Sequence, residues 1–125
     1  MKARLIAWDA ARERDTAELC AINELSNHAA DPAVSIARAR VPCGVTTRWH
    51  RLRGIAERYV MLEGCGTVEV EGLAPTAVGP GDVVLIPPGA AQRIRNDGED
   101  ELVFLAVCTP RFVPGAYEDV EDTSL

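Results

Sequence analysis

The segment "GVTTRWHRLRGIAERYVMLEG", residues 44–64, decides how the chain folds. Glycine stands at both of its ends, where a tight turn needs the positive φ that glycine tolerates. Residues two apart in a strand share a face. A strand over 45–52 therefore sends Thr46, Arg48, His50 and Leu52 one way, and Trp49 and Arg51 the other. A strand over 57–64 puts Glu57, Tyr59 and Met61 together on one face. If both polar faces turn inward, an imidazole and a carboxylate meet inside an enclosed β-structure.

The rest of the chain reads in the same way. Ten glycines and eight prolines punctuate it at short intervals. The stretches 19–25, 33–41, 45–52, 57–64, 66–72, 82–87, 91–96 and 101–108 each fit a strand. "TVEVE" alternates, which predicts one solvated face, whereas "VVLI" and "LVFLAV" do not, which predicts cover on both faces. "EGCG", "GPGD", "PPGA" and "NDGED" supply turns. Only residues 9–19 suggest a helical turn. Short strands without a long helix predict an all-β fold, one antiparallel barrel in a single domain. Its core barrel spans about 33–110, after N-terminal strands within 1–32 and before an acidic C-terminal tail, 115–125.

Thirteen basic and nineteen acidic residues give a net charge of −6. The tail "YEDVEDTSL" carries Glu118, Asp119, Glu121 and Asp122 without a base and is read as a solvated end. There is no basic stripe for nucleic acid and no apolar run of the roughly 18 residues that a membrane span needs. The early charges do not suit a secretory signal, so a cytoplasmic protein is expected. Cys20, Cys43, Cys65 and Cys108 lie far apart without a CxxC pair, and are expected to be reduced, mostly buried thiols.

Two spacings carry the argument further. Gly44, His50, Leu52, Glu57 and Gly64 follow one another at the intervals of the first cupin motif, which has a second histidine where Leu52 stands. Gly81, Pro87, Gly89, Gln92 and Asn96 are similar to the second cupin motif, with Gln92 where that motif has histidine. The chain thus resembles a small single-domain cupin with an incomplete ligand set. The resemblance implies a jelly-roll barrel whose complete members hold a divalent metal through three imidazoles and a carboxylate. Carried over, it leaves His50, Glu57 and Gln92 as the metal ligands, for Fe, Mn, Ni or Zn. Leucine has no lone pair, and a glutamine carbonyl suits harder cations than imidazole does.

Three readings of these residues stand side by side. In the first, a divalent ion on His50, Glu57 and Gln92 activates water, dioxygen or an enolisable carbonyl, for oxygenation, isomerisation or lyase chemistry. In the second, Glu57 orients His50 as a metal-free general base, with Tyr59 able to supply a proton. In the third, the three polar groups satisfy one another in a non-catalytic barrel that binds a small ligand or serves as a structural dimer. Arg48, on His50's expected face, is the candidate clamp for a substrate carboxylate or phosphate, or pairs with a protein carboxylate. Trp49, outward beside Val60, suggests a subunit interface, and a two-fold homodimer is expected.

Overall fold

The computed structural model describes residues 1–121. Among these, eleven strands form two antiparallel sheets packed face to face. The first sheet has the order β1 (Arg14–Asp15), β2 (Ala21–Ser26), β3 (Ser35–Val41), β10 (Leu102–Thr109), β5 (Ala56–Glu63), β8 (Val83–Ile86). The second has β11 (Tyr117–Asp119), β4 (His50–Leu52), β9 (Gln92–Asn96), β6 (Gly66–Val70), β7 (Leu73–Val78). This is the expected all-β jelly roll. No helix of the described residues is long and apolar enough to cross a membrane. The helical turn expected within 9–19 is a single 3-10 turn, Ala10–Arg12, capped by Asp9.

Alternation builds the core. Glu57, Tyr59 and Met61 of β5 point in, as do Val68 and Val70 of β6 and Gln92, Ile94 and Asn96 of β9. Val41, Leu102, Met61 and Ile94 are all at most 1% exposed. Each such side chain contributes about 1.5–3 kcal/mol by leaving water. The β5–β6 connection is dense enough to demand glycine: at Gly64, whose φ is 82°, an added Cβ would sit 2.6 Å from the Glu101 carbonyl oxygen. At Gly66 it would overlap the Arg95 carbonyl oxygen.

Four expectations need correction. β8 is an edge strand, so only Val84 and Ile86 are covered, and Val83 and Leu85 are 55% and 72% exposed. The edge strand β7 was not foreseen, because "LAPTAV" carries a proline that only an edge accepts. The acidic tail is no solvated end as far as it is described. Its residues 117–119 pair with β4, Glu118 meets Arg51 and Arg53, and Asp119 meets Arg48; Asp122 lies outside the described residues. Cys20 and Cys108 are buried, but Cys43 and Cys65 sit in turns and are exposed.

The expected strand over 45–52 is interrupted. Thr46 bridges to Arg95, whereas His50 pairs with Gln92. Four steps on one side match three on the other, so the chain bulges by one residue between them. Thr47 occupies the bulge: its hydroxyl accepts from the Ile94 amide at 3.0 Å. An extra residue switches the face that follows. Thr47, His50 and Leu52 are consequently the buried residues.

Candidate functional site

The bulge sets the geometry of His50. The ring is 3% exposed, and its Nδ1 lies 2.8 Å from the Arg48 carbonyl oxygen. A carbonyl can only accept, so Nδ1 carries a proton and Nε2 is the ring nitrogen that can take one up from the cavity. Tyr117, brought by β11, stacks on the same ring at 5.3 Å. His50 is therefore held by its backbone neighbour on one side and by an aromatic plate on another, with Nε2 turned to a cavity.

That cavity has a volume of about 300 Å³ and is also lined by Glu57, Tyr59, Phe104 and Cys108. It is small for a ligand site but within the usual range. Glu57 is joined to the second sheet by a hydrogen-bond chain. The Tyr59 hydroxyl donates to Gln92 Oε1, and Gln92 Nε2 donates to Glu57 Oε1 at 2.8 Å. The Cys108 thiol is directed at Glu57 Oε2, 3.8 Å away. Burial pushes the Glu57 carboxyl up to about 7, against the opposing pulls of His50 and the Gln92 amide. Burial also lifts the Cys20 and Cys108 thiols to about 12 and the Tyr59 hydroxyl above its ordinary value. Neither thiol is then a ready nucleophile near neutral pH.

One wall comes from a segment that the sequence did not single out. Between β1 and β2 the chain turns tightly, with Leu19 at φ 73° and the Thr16 hydroxyl donating to the Cys20 carbonyl at 2.8 Å. The Glu18 carbonyl accepts the Arg48 amide at 3.1 Å, which docks the turn beside His50. Glu18 Oε2 thereby comes to 3.9 Å from His50 Nε2. Its side chain is 26% exposed, and burial pushes its carboxyl up despite the attraction of His50. A lone glutamate in a presumed helical turn gave no signal of this role; only the hairpin places it.

The expected residues divide accordingly. His50, Glu57 and Tyr59 line one cavity. Gln92 does not line it, and its oxygen and amide nitrogen are already engaged by Tyr59 and Glu57. Leu52 packs with Ile55, Cys108 and Ala116 where a second imidazole would stand. Among the described residues no three His, Cys, Asp or Glu side chains are arranged to hold a metal ion. The donor set thus does not fit a divalent ion: a committed amide and a leucine leave one imidazole and one ligand carboxylate of the expected set.

Arg48 leaves its expected face but takes up one of its two expected roles, the pair with a protein carboxylate. The bulge removes it from His50's face, and its Nε lies 2.5 Å from Asp119, away from the cavity lining. Trp49 lies just before β4 of the second sheet whereas Val60 is in β5 of the first, and Arg93 covers the Trp49 ring at 4.4 Å.

Glu57 makes stability depend on pH with a definite sign. It titrates at about 7 in the fold against 4.5 ordinarily. Between these values the unfolded chain binds fewer protons, so stability is present below about pH 4.5 and falls as pH rises through about 7. At about 1.4 kcal/mol per pH unit of separation, full ionisation costs the fold about 3 kcal/mol. Urea unfolding at about pH 5 and about pH 8 should show that loss in the native chain and most of it abolished in Glu57→Gln, with a remainder of the same sign from Glu18. Glu13, Asp97 and Asp119 are held below their ordinary values by arginine partners and act on the acid side of this window.

Comparison with known proteins agrees with this architecture. The family model of the cupin domain matches residues 37–108. An uncharacterized protein of Methanocaldococcus jannaschii is 34% identical over 87 residues, which cover 70% of this chain and 66% of that protein's length. A predicted oxalate decarboxylase of Thermotoga maritima is 29% identical, with a TM-score of 0.66 over 73% of this chain and 80% of its own. A cupin 2 conserved barrel domain protein of Salinispora arenicola has a TM-score of 0.72 at 20% identity, over 87% and 90% of the two chains. With both motifs in register on a two-sheet jelly roll, the chain belongs to the cupin family.

Proposed function

We propose that the chain is a small-molecule enzyme of the cupin type that transfers a proton inside its barrel. His50 Nε2 takes the proton from a carbon next to a carbonyl, and the Glu57 carboxyl returns a proton to the developing oxyanion. Electrons stay within the substrate, so isomerisation or elimination follows without an oxidant or reductant. The supporting observation is that Nδ1 is fixed on the Arg48 carbonyl while Nε2 faces a cavity shared with a carboxyl held up at about 7. A base and an acid of different environments, in reach of one cavity, are what such a step requires. Tyr59 and Gln92 act through Glu57 and are positioning residues.

Deuterium incorporation from D2O tests this, using small aldehydes, ketones, 2-oxo acids and aminoketones followed by mass spectrometry. At least one class should exchange, His50→Gln should abolish the exchange, and Glu57→Gln should slow it by about a hundredfold or more. Elemental analysis of untagged protein should find well below one divalent ion per chain. A stoichiometric ion that departs in His50→Gln, or no exchange in any class, would contradict the reading.

A homodimer is also proposed, on a different surface from that expected around Trp49. The outer face of the first sheet carries a row in which Leu105 pairs with Val60 and Val60 with Val83. Beside it Leu62 and Leu85 are 42% and 72% exposed. Apolar residues clustered on a sheet edge favour burial by a second copy. Light scattering should give twice the chain mass, and Leu85→Glu should give the monomer; a monomeric native chain would refute the dimer.

A further inference from the structure

The protein treats its outer and inner carboxylates differently. Outside, Glu13 and Glu101 pair with Arg40, Glu69 with Arg93, Asp97 with Arg95, Glu118 with Arg51, and Asp119 with Arg48. Glu57, inside, and Glu18, 26% exposed at the cavity wall, have no arginine or lysine within ion-pair reach among the described residues; Glu18 instead faces His50 Nε2 at 3.9 Å. A carboxylate removed from water without a cation is costly, and a charged N–H donor offsets that cost best.

The remaining ionisable groups in the cavity do not balance this. Glu24 adds a third carboxylate, and Arg14 on β1 is the one guanidinium lining the cavity among the described residues, exposed at its outer end. The thiols of Cys20 and Cys108 and the hydroxyls of Tyr59 and Tyr117 are all held high by burial and stay neutral near pH 7. Aromatic walls complete the site: Phe104, tilted against Tyr59 with ring centroids 4.4 Å apart, and Tyr117 on His50. Ring faces attract cations and repel anions. At about 30 Å³ per water, the volume of about 300 Å³ holds roughly ten waters.

We propose that the cavity takes a small organic cation, a primary amine or amidinium whose N–H groups meet Glu18 and whose carbon skeleton lies on the aromatic walls. The inference deepens the reading above and rests with it on the cavity being a ligand site. It names a substrate class opposite in charge to the carboxylate or phosphate expected from Arg48. The hairpin turn that carries Glu18 then acts as a specificity element, since it supplies the carboxylate nearest the base.

Four probes of matched skeleton test the charge preference: benzylamine, benzamidine, benzyl alcohol and benzoate, titrated calorimetrically into untagged protein near pH 8. One cation should bind per chain, at least tenfold more tightly than benzyl alcohol, and benzoate should not bind. Glu18→Gln, on a partly exposed turn, should weaken the cation at least tenfold without lowering the melting temperature. Equal or tighter binding of benzoate, binding unchanged in Glu18→Gln, or no binding of either cation at millimolar concentration would overturn the inference. Cation binding without deuterium exchange in any compound would leave the ligand class standing and remove the catalytic reading. Exchange without cation binding would do the reverse.

Discussion

A single extra residue between Thr46 and His50 governs the site. With a regular ladder His50 would fall out of phase with Gln92, and its ring would leave the barrel. The bulge turns the imidazole inward and exposes the Arg48 carbonyl to its Nδ1. At the same kink the Arg48 amide donates to the Glu18 carbonyl, which docks the N-terminal hairpin beside His50. Base, wall and tautomer thus follow from one irregularity in one strand.

Around that strand the charges are sorted. The C-terminal strand β11 clasps β4 from outside through Glu118 and Asp119, and gives Tyr117 as the plate behind His50. Solvent screens these partly exposed ion pairs, so their part is registration more than stability. The interior has no such compensation. Glu57 relies on a neutral amide, a thiol and the proximity of His50, and its proton becomes labile near neutral pH as a result.

The sequence made the barrel legible and the site only half so. Alternation in 66–70 predicted one covered and one less covered face, which the strand shows, and its register with β9 is regular. The motif glycines at 44, 64, 81 and 89 all adopt positive φ, so their spacing marked real turns. Strand order was not legible in one stretch: β4, which follows Trp49, and β5, which carries Val60, are near in sequence but lie in different sheets. A bulge has no composition of its own, so Arg48 was assigned to the wrong face. Gln92 was read as a ligand because its position matched one, whereas in the fold its oxygen accepts from Tyr59 and its amide nitrogen donates to Glu57. Glu18 escaped notice because long-range docking, not local pattern, makes it a wall of the site.

The central claim is that His50 holds a proton on Nδ1 against the Arg48 carbonyl, so that Nε2 is the nitrogen offered to the cavity. A long-range proton–nitrogen correlation spectrum of the imidazoles, with His28→Gln to assign the signals, reads this tautomer directly at alkaline pH. The account predicts the Nδ1–H form for His50. A spectrum showing the proton on Nε2, or the free tautomer mixture of a solvated ring, would contradict it.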